Sequence, residues 1–474
     1  TGGNNIAIGL CSGLKTTTGF QNFSAGSFSL CNNTTGCKNV ALGQNAMKTS
    51  TTGCFNTALG MGSLALNETA SNNTAVGTCS MAANTTGVEN TSVGMHSLGN
   101  NTTGQSNSAV GYASLIANTT GLYNSALGRH ALSSNQTGNR NVGIGYYSLA
   151  TNTTSDNTAV GYYSLQANTT GAQNVAFGTN ALTANTTGCR NIGIGYNSLA
   201  VNTTGCCNVS IGRASLDANI DGDFNTAVGT NSLSGNTTAD GNTAIGYLAM
   251  NSTTTGGYNT TLGLCALHGN TDCSFNVAVG GYALKSNDAS ENTALGYIAL
   301  CDNTTGTNNV AVGRSALCDN TTGASNVAMG YQAGQSTTTG TCNIAIGTDA
   351  RRDGITGDNN VAIGFQSLRE SEGADNNTAV GHETLKANTT APDNIAVGVR
   401  ALCANTTGCR NVAMGVNALR SQTGNGHCNT AIGYNAMIYS DGGGCNTAVG
   451  ALALETNASS DTCNTAVGVR ALCS

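Results

Sequence analysis

Small polar and apolar residues alternate along this chain in a short unit that keeps returning. "NTAVGYYSLQANTTGAQ", residues 157–173, is followed at once by "NVAFGTNALTANTTGCR" and then by "NIGIGYNSLAVNTTGCC". Each copy opens with four or five residues, such as "NTAVG", that are rich in Val, Thr and Ile, bounded by Asn and Gly, and too short for a helix. That pattern predicts a strand. Alternation puts the third residue, nearly always Ala or Ser, on the same face as the opening Asn and the closing Gly. The second and fourth residues, Thr or Val and then Val, Ile, Leu or Met, point the other way. One face thus allows close approach, and the reading assigns the bulky face to the core. A Leu or Met later in the unit, as in Met81, Leu165, Leu182, Leu216 and Met437, is expected to start a second short strand and to fill that core. "NTTG" then makes a turn, with Asn and Gly taking left-handed backbone.

The opening Asn anchors the count. It recurs 28 times from Asn5 to Asn464, giving 27 intervals of which 23 are seventeen residues long. The intervals ending at Asn157 and Asn292 are one residue short, and those ending at Asn429 and Asn464 one residue long. A period near twenty residues signals a solenoid, and slips of one residue fit a turn that tolerates insertions. Gly fills the fifth position in all 28 units. A position that never takes a side chain needs positive φ or touches another backbone. The sequence therefore predicts an all-β parallel β-solenoid, or β-roll, of about 28 coils. It forms one continuous domain over residues 1–474, in which like residues stack and the anchor Asn amides bond along the axis. At a coil spacing of about 4.8 Å such a stack is on the order of 130 Å long. Neither "TGGNN" at the start nor the residues after Leu472 provide a polar cap, which predicts either a segment of a longer chain or, the preferred reading, subunits that stack end to end and cap each other.

The units "NTAVGYYSL", "NVAFGTNAL", "NIAIGTDA" and "NVAIGFQSL" resemble the head repeats of trimeric autotransporter adhesins. They resemble still more the longer N-T-A-x-G-x-x-A-L-x-x-N-T-T-G repeats of bacteriophage tail fibres and related surface fibres. The resemblance covers essentially the whole chain. It implies a parallel β-roll in an extracellular fibre on a cell or virion surface, often as a homotrimer.

Composition narrows the chemistry. Charged residues are 8% of the chain, the net charge is −6, and Pro occurs once, at Pro392. No basic stripe is available to neutralise phosphates, so nucleic acid is not an expected partner. No run of apolar residues is long enough for a membrane span. His96, His130, His268, His382 and His427 sit at scattered phases, the acids at Glu370 and Glu372 lie in a variable turn, and no nucleophile elbow, phosphate loop or dinucleotide motif is present. The expected role is structural, without catalysis, cofactor or metal.

Nineteen cysteines suggest an oxidising location. Cys31 with Cys37, and Cys403 with Cys409, flank a turn and are candidates to close it. Cys37 with Cys54, Cys189 with Cys206, Cys301 with Cys318, and Cys428 with Cys445 and Cys463 occupy equal phases in consecutive coils. A spacing of one coil lies inside the Cα window of a disulfide.

The turn admits further readings. Sixteen units carry an N-x-[ST] sequon at one phase: Asn33, Asn67, Asn84, Asn101, Asn118, Asn135, Asn152, Asn168, Asn185, Asn202, Asn236, Asn303, Asn320, Asn388, Asn405 and Asn457. In a glycosylating cell these predict a row of glycans along an exposed edge. A ladder of Thr is also compatible with ice binding. Tyr follows the fixed Gly at Tyr112, Tyr146, Tyr162, Tyr247, Tyr297, Tyr331 and Tyr434, where it either covers a coil corner or stacks on a sugar or a neighbouring fibre.

Overall fold

The computed structural model describes residues 2–457 and 462–473, with the side chain of Asn457 left out. It is an all-β parallel solenoid, one short strand per coil, with a spacing of about seventeen residues. Two compact units, Thr1–Asp240 and Gly241–Ser474, divide it.

The first unit holds fourteen three-residue strands, from Ile6–Ile8 to Thr226–Val228. Successive strands pair parallel and in register, as Ile192 with Val209 and Gly193 with Ser210. Register survives the sixteen-residue step, where Thr158 pairs with Val142, because the missing residue is taken from the turn. There Asn152 Nδ2 donates to the Thr154 carbonyl at 2.8 Å, instead of reaching three residues on as Asn185 does to Gly188 at 3.0 Å.

The alternation along each strand is as the sequence predicts, but its direction is reversed. In Val175–Phe177 it is Ala176 that is buried, while Val175 and Phe177 face solvent. The reason is the width of the coil. Two Asn side chains, one Leu or Met and an Ala or Ser Cβ already fill a seventeen-residue loop, so the interior side of the strand must be the small one. The β-branched residues form an outer wall.

The Leu column is buried as expected, Leu182 and Leu199 having no exposed surface, yet it starts no strand in most coils. These residues take left-handed backbone, with φ of 52° and 51°, and turn the chain inward. A bulky side chain in that region costs about 1–2 kcal/mol, which burial of the same side chain, about 1.5–3 kcal/mol, offsets. Nor do the Asn and Gly of "NTTG" carry the positive φ. The residue just before the anchor does, as at Gln173 (62°), Arg190 (56°) and Cys207 (60°).

The fixed glycine meets both conditions that its invariance implies. Gly178 has φ of 136°, and a Cβ there would lie 2.5 Å from the Gly195 carbonyl oxygen of the next coil. Beside it, the anchor column forms the expected amide ladder. The Asn191 backbone N–H donates to Asn174 Oδ1 at 2.9 Å, and Asn191 Nδ2 to the Gly205 carbonyl at 2.7 Å.

The second unit repeats this plan through fourteen main rows, from Thr243–Ile245 to Thr465–Val467. Its ladder continues in the same geometry, with the Asn343 N–H on Asn326 Oδ1 at 3.0 Å. Here alone among the described residues a second parallel sheet forms after the Leu position, from Ser421–Thr423, Tyr439–Asp441 and Thr456–Asn457. The eighteen-residue coil at this place has Gln422 where other coils have Asn. Its longer side chain donates from Nε2 to the Gly426 carbonyl, four residues on, so one extra methylene spans one extra residue.

Candidate functional site

The sequon column lies inside the coils. Asn33, Asn67, Asn84, Asn101, Asn118, Asn135, Asn152, Asn168, Asn185, Asn202, Asn236, Asn303, Asn320, Asn388 and Asn405 have no exposed side-chain surface; the side chain of Asn457 lies outside the described residues. They form a second amide ladder parallel to the anchor ladder. Asn185 Nδ2 donates to Asn168 Oδ1 at 2.8 Å and to the Gly188 carbonyl at 3.0 Å. A glycan replaces one of those two amide hydrogens and has no room inside the coil. The expected exposed edge is therefore absent at these fifteen positions, because "N-T-T" places its Asn inward and only its threonines near solvent. The first Thr is itself tied down: Thr186 Oγ1 donates to the Thr203 carbonyl at 3.0 Å. The second, as Thr187, is exposed, and in some coils the first is exposed beside it, as at Thr169, Thr304 and Thr406.

This ladder breaks where the residue type changes, and the breaks leave orphans. Asn33 Oδ1 and Ser50 Oγ are both buried without a partner; Ser50 stands one coil on, where an Asn would supply the donor. Asn320 Oδ1 precedes Thr337 and Asn405 Oδ1 precedes Gln422 in the same way.

All nineteen cysteines are unbridged thiols, and stacking decides which of them meet. Cys37 Sγ lies 2.8 Å from Cys54 Sγ, and Cys189 Sγ 2.9 Å from Cys206 Sγ. Both pairs belong to a column, two residues before the anchor, whose side chains accept the backbone N–H of the preceding coil. Cys189 N–H donates to Cys206 Sγ at 3.1 Å, and Cys206 N–H to Asp223 Oδ1 at 2.6 Å. Cys37 thus faces Cys54 along the stack rather than Cys31 across the turn. Cys409 faces His427, whose Nδ1 accepts its N–H at 2.9 Å and lies 3.2 Å from its sulfur; Cys403 is half-buried away from that contact, near Glu383, and its thiol is pushed up mainly by burial. In the Cys301 and Cys318 pair, burial and the carboxylates of Asp302 and Asp319 push the thiols up to about 11 and about 12. Oxidation proceeds through thiolate, which this environment disfavours. The surrounding protein and the neighbouring Cys428 and Cys463 thiols push the Cys445 thiol up.

Phase arithmetic predicts these contacts, but it does not single out the cluster of Asp272, Cys273 and Asp288, whose ligand atoms lie within 4.8 Å of one another. Asp288 stands one coil on from Thr271, whose Oγ1 donates to Asp288 Oδ1 at 3.1 Å, and the residue that the short coil before Asn292 lacks falls just after it. Burial and the two carboxylates push the Cys273 thiol up to about 11.

The Tyr column stands outward as one of its readings requires, with Tyr112, Tyr162 and Tyr434 exposed. Tyr146 stacks on Tyr162 with ring centroids 5.3 Å apart, Tyr162 meets Tyr163 edge-on at 4.2 Å, and Arg129 lies over Tyr112 at 5.6 Å. Burial and that same arginine push the His130 imidazole down. A shallow groove of about 680 Å³ nearby in the chain is lined by Val201, Thr203, Asp217, Ala218, Ile220 and Ser234.

The strands present an outer wall to solvent. Its two outward positions carry no charged residue in any of the 28 units. Leu127, Phe177, Leu262 and Leu295 leave about half of their surface in solvent. No helix among the described residues is long and apolar enough to cross a membrane. No protein-family model and no curated protein matches the chain.

Proposed function

We propose that this chain is a structural, non-catalytic subunit of an extracellular fibre, in which copies of the chain pack against each other along the outer walls of their strands. The observation that carries this reading is the uncharged outer wall, in which the fourth position of each unit forms an unbroken apolar row beside a row of Thr, Ser, Val, Ile and Phe. A contiguous apolar strip of this kind marks an interaction surface on a soluble protein, and an open strand face normally breaks such a strip with charge. A second copy is its best-matched occupant, because it offers the same neutral rows at the same coil spacing, so knobs and gaps repeat in step.

The mechanical logic follows from the interior. Within each unit successive coils are tied by backbone bonds running along the axis, such as Thr186 N–H to the Thr203 carbonyl at 2.9 Å, by the anchor ladder, and by the second amide ladder wherever its Asn column is unbroken. Load along the axis is shared by all of them. The resemblance to fibre and adhesin-head repeats supports the same role and favours three copies around an axis. Thiol columns add covalent staples in an oxidising medium.

Sedimentation velocity on the purified chain in reductant tests this. The expected result is a concentration-dependent oligomer that Leu127→Lys together with Phe177→Lys converts to monomer without loss of β-sheet circular dichroism. A wild-type chain that stays monomeric overturns lateral packing. Oligomers that persist unchanged in the charged variant point to end-to-end association instead.

A further inference from the structure

The thiol columns are not alike in length, and this has a chemical consequence. In the column of Cys37 and Cys54 the next coil supplies Ser71, whose Oγ accepts the Cys54 N–H at 3.0 Å. In that of Cys189 and Cys206 it supplies Asp223. Two sulfurs can pair and leave nothing over. Cys428, Cys445 and Cys463 instead form a file of three, each directly before its anchor Asn and each exposed. Their backbones are alike, with φ of 60°, 60° and 62°, and each is tied to the coil before it in the same way, the Cys445 N–H donating to the His427 carbonyl at 2.9 Å and the Cys463 N–H to the Gly444 carbonyl at 3.1 Å.

We propose that Cys428, Cys445 and Cys463 form an exchange ladder that holds one disulfide at a time, always with Cys445 as one half, and presents the remaining sulfur as a reactive thiol to small disulfides in the medium. Adjacent rows lie about 4.8 Å apart, inside the Cα range for a bridge. Cys428 and Cys463 are two rows apart and outside it.

The bond forms with a low-molecular-weight disulfide of the glutathione class as oxidant. Two protein thiols and one such disulfide give one protein disulfide and two small thiols, the two electrons passing to the small disulfide. Exchange then needs no further oxidant. With Cys428 bridged to Cys445, the Cys463 thiol gives its proton to solvent and its thiolate attacks Cys445 Sγ. The Cys428–Cys445 bond breaks, its electron pair stays on Cys428 Sγ, and that sulfur takes up a proton. The two bridged forms have the same local geometry, so both are populated. Attack falls to the outer members, because Cys445 is one half of the bond in either bridged form.

The test uses the full chain, oxidised with oxidised glutathione, quenched in acid, alkylated with iodoacetamide and mapped by peptide mass spectrometry. The ladder predicts one modified sulfur per molecule among the three, divided between Cys428 and Cys463, with Cys445 unmodified. It also predicts that Cys463→Ser confines the bridge to Cys428 and Cys445, and that Cys445→Ser leaves Cys428 and Cys463 both fully modified while circular dichroism is unchanged. Modification of Cys445 as often as its neighbours overturns the proposal, as does a direct bond between Cys428 and Cys463. So does full modification of all three while Cys37 and Cys54 are bridged in the same sample.

Discussion

Arg351 and Gly354 are a reciprocal substitution inside the second amide ladder. Arg351 stands at a Leu position and is fully buried, and Gly354 stands where other coils have the sequon Asn. The guanidinium fills the space that the absent amide leaves. Its Nη2 donates to the Gly357 carbonyl at 2.6 Å and Nη1 to Thr337 Oγ1 at 2.9 Å, doing for this coil what an Asn does elsewhere. A Cβ on residue 354 would sit 2.7 Å from Arg351 Cγ, so neither change is tolerated without the other. Burial pushes the guanidinium down to about 10, opposed by Asp358 and Asp375.

This predicts a strong thermodynamic coupling. Arg351→Leu alone loses the donors and leaves a void, and Gly354→Asn alone collides with the arginine; each is expected to cost about 2–4 kcal/mol. The double variant restores the common unit and is expected to be at least as stable as the wild type. A double-mutant cycle by urea unfolding measures it, and additive losses contradict the account.

The orphaned pair at Asn33 and Ser50 is a place where stability can be gained. Ser50→Asn gives Asn33 Oδ1 the donor it lacks and continues the column as the neighbouring coils do. A gain of about 1 kcal/mol is expected, read as a raised melting temperature. A loss would mean that the site lacks the room its neighbours have.

Glu383 supplies a pH signature. Its carboxylate accepts from Lys386 Nζ at 2.9 Å and Arg400 Nε at 2.8 Å, which holds it at about 2, below its ordinary value of 4.5. Because the folded value is the lower one, the stabilisation is fully present above the ordinary value and is lost as pH falls from 4.5 to about 2. Glu383→Gln is expected to cost roughly 1 kcal/mol at neutral pH. The gap from wild type should close over that window, and a gap constant with pH contradicts the assignment.

The inward sequon predicts that folded protein carries no N-glycan at the fifteen buried positions even when secreted from a glycosylating cell. Intact-mass measurement of the protease-resistant fraction checks this. A glycan on Asn185 in that fraction contradicts the ladder.

The period, the parallel register and the fixed glycine were legible in the sequence because stacking repeats them identically. The anchor ladder followed from the same logic. What the repeat could not reveal was which side of each strand is inside. Ala176 and Val175 alternate equally well in either direction, and only the coil's small cross-section, already filled by two Asn side chains and Leu182, decides between them. The sequon suffered from the same ambiguity, since "N-T-T" reads as an exposed turn until its Asn is seen bonded to the coil before it. Leu182 in left-handed backbone carries no sequence signal, since Leu does not ordinarily favour it. The cluster at Asp272, Cys273 and Asp288 joins residues of different phase in consecutive coils, which matching equal phases does not bring together.

The central claim is that the uncharged strand wall is covered by another copy of the chain, and electron cryo-microscopy of the purified, unreduced protein tests it most directly. The account predicts particles or fibres in which strand walls of neighbouring copies face each other about 10 Å apart. Single solenoids with Leu127 and Phe177 open to solvent, or joined only through their coil ends, would contradict it.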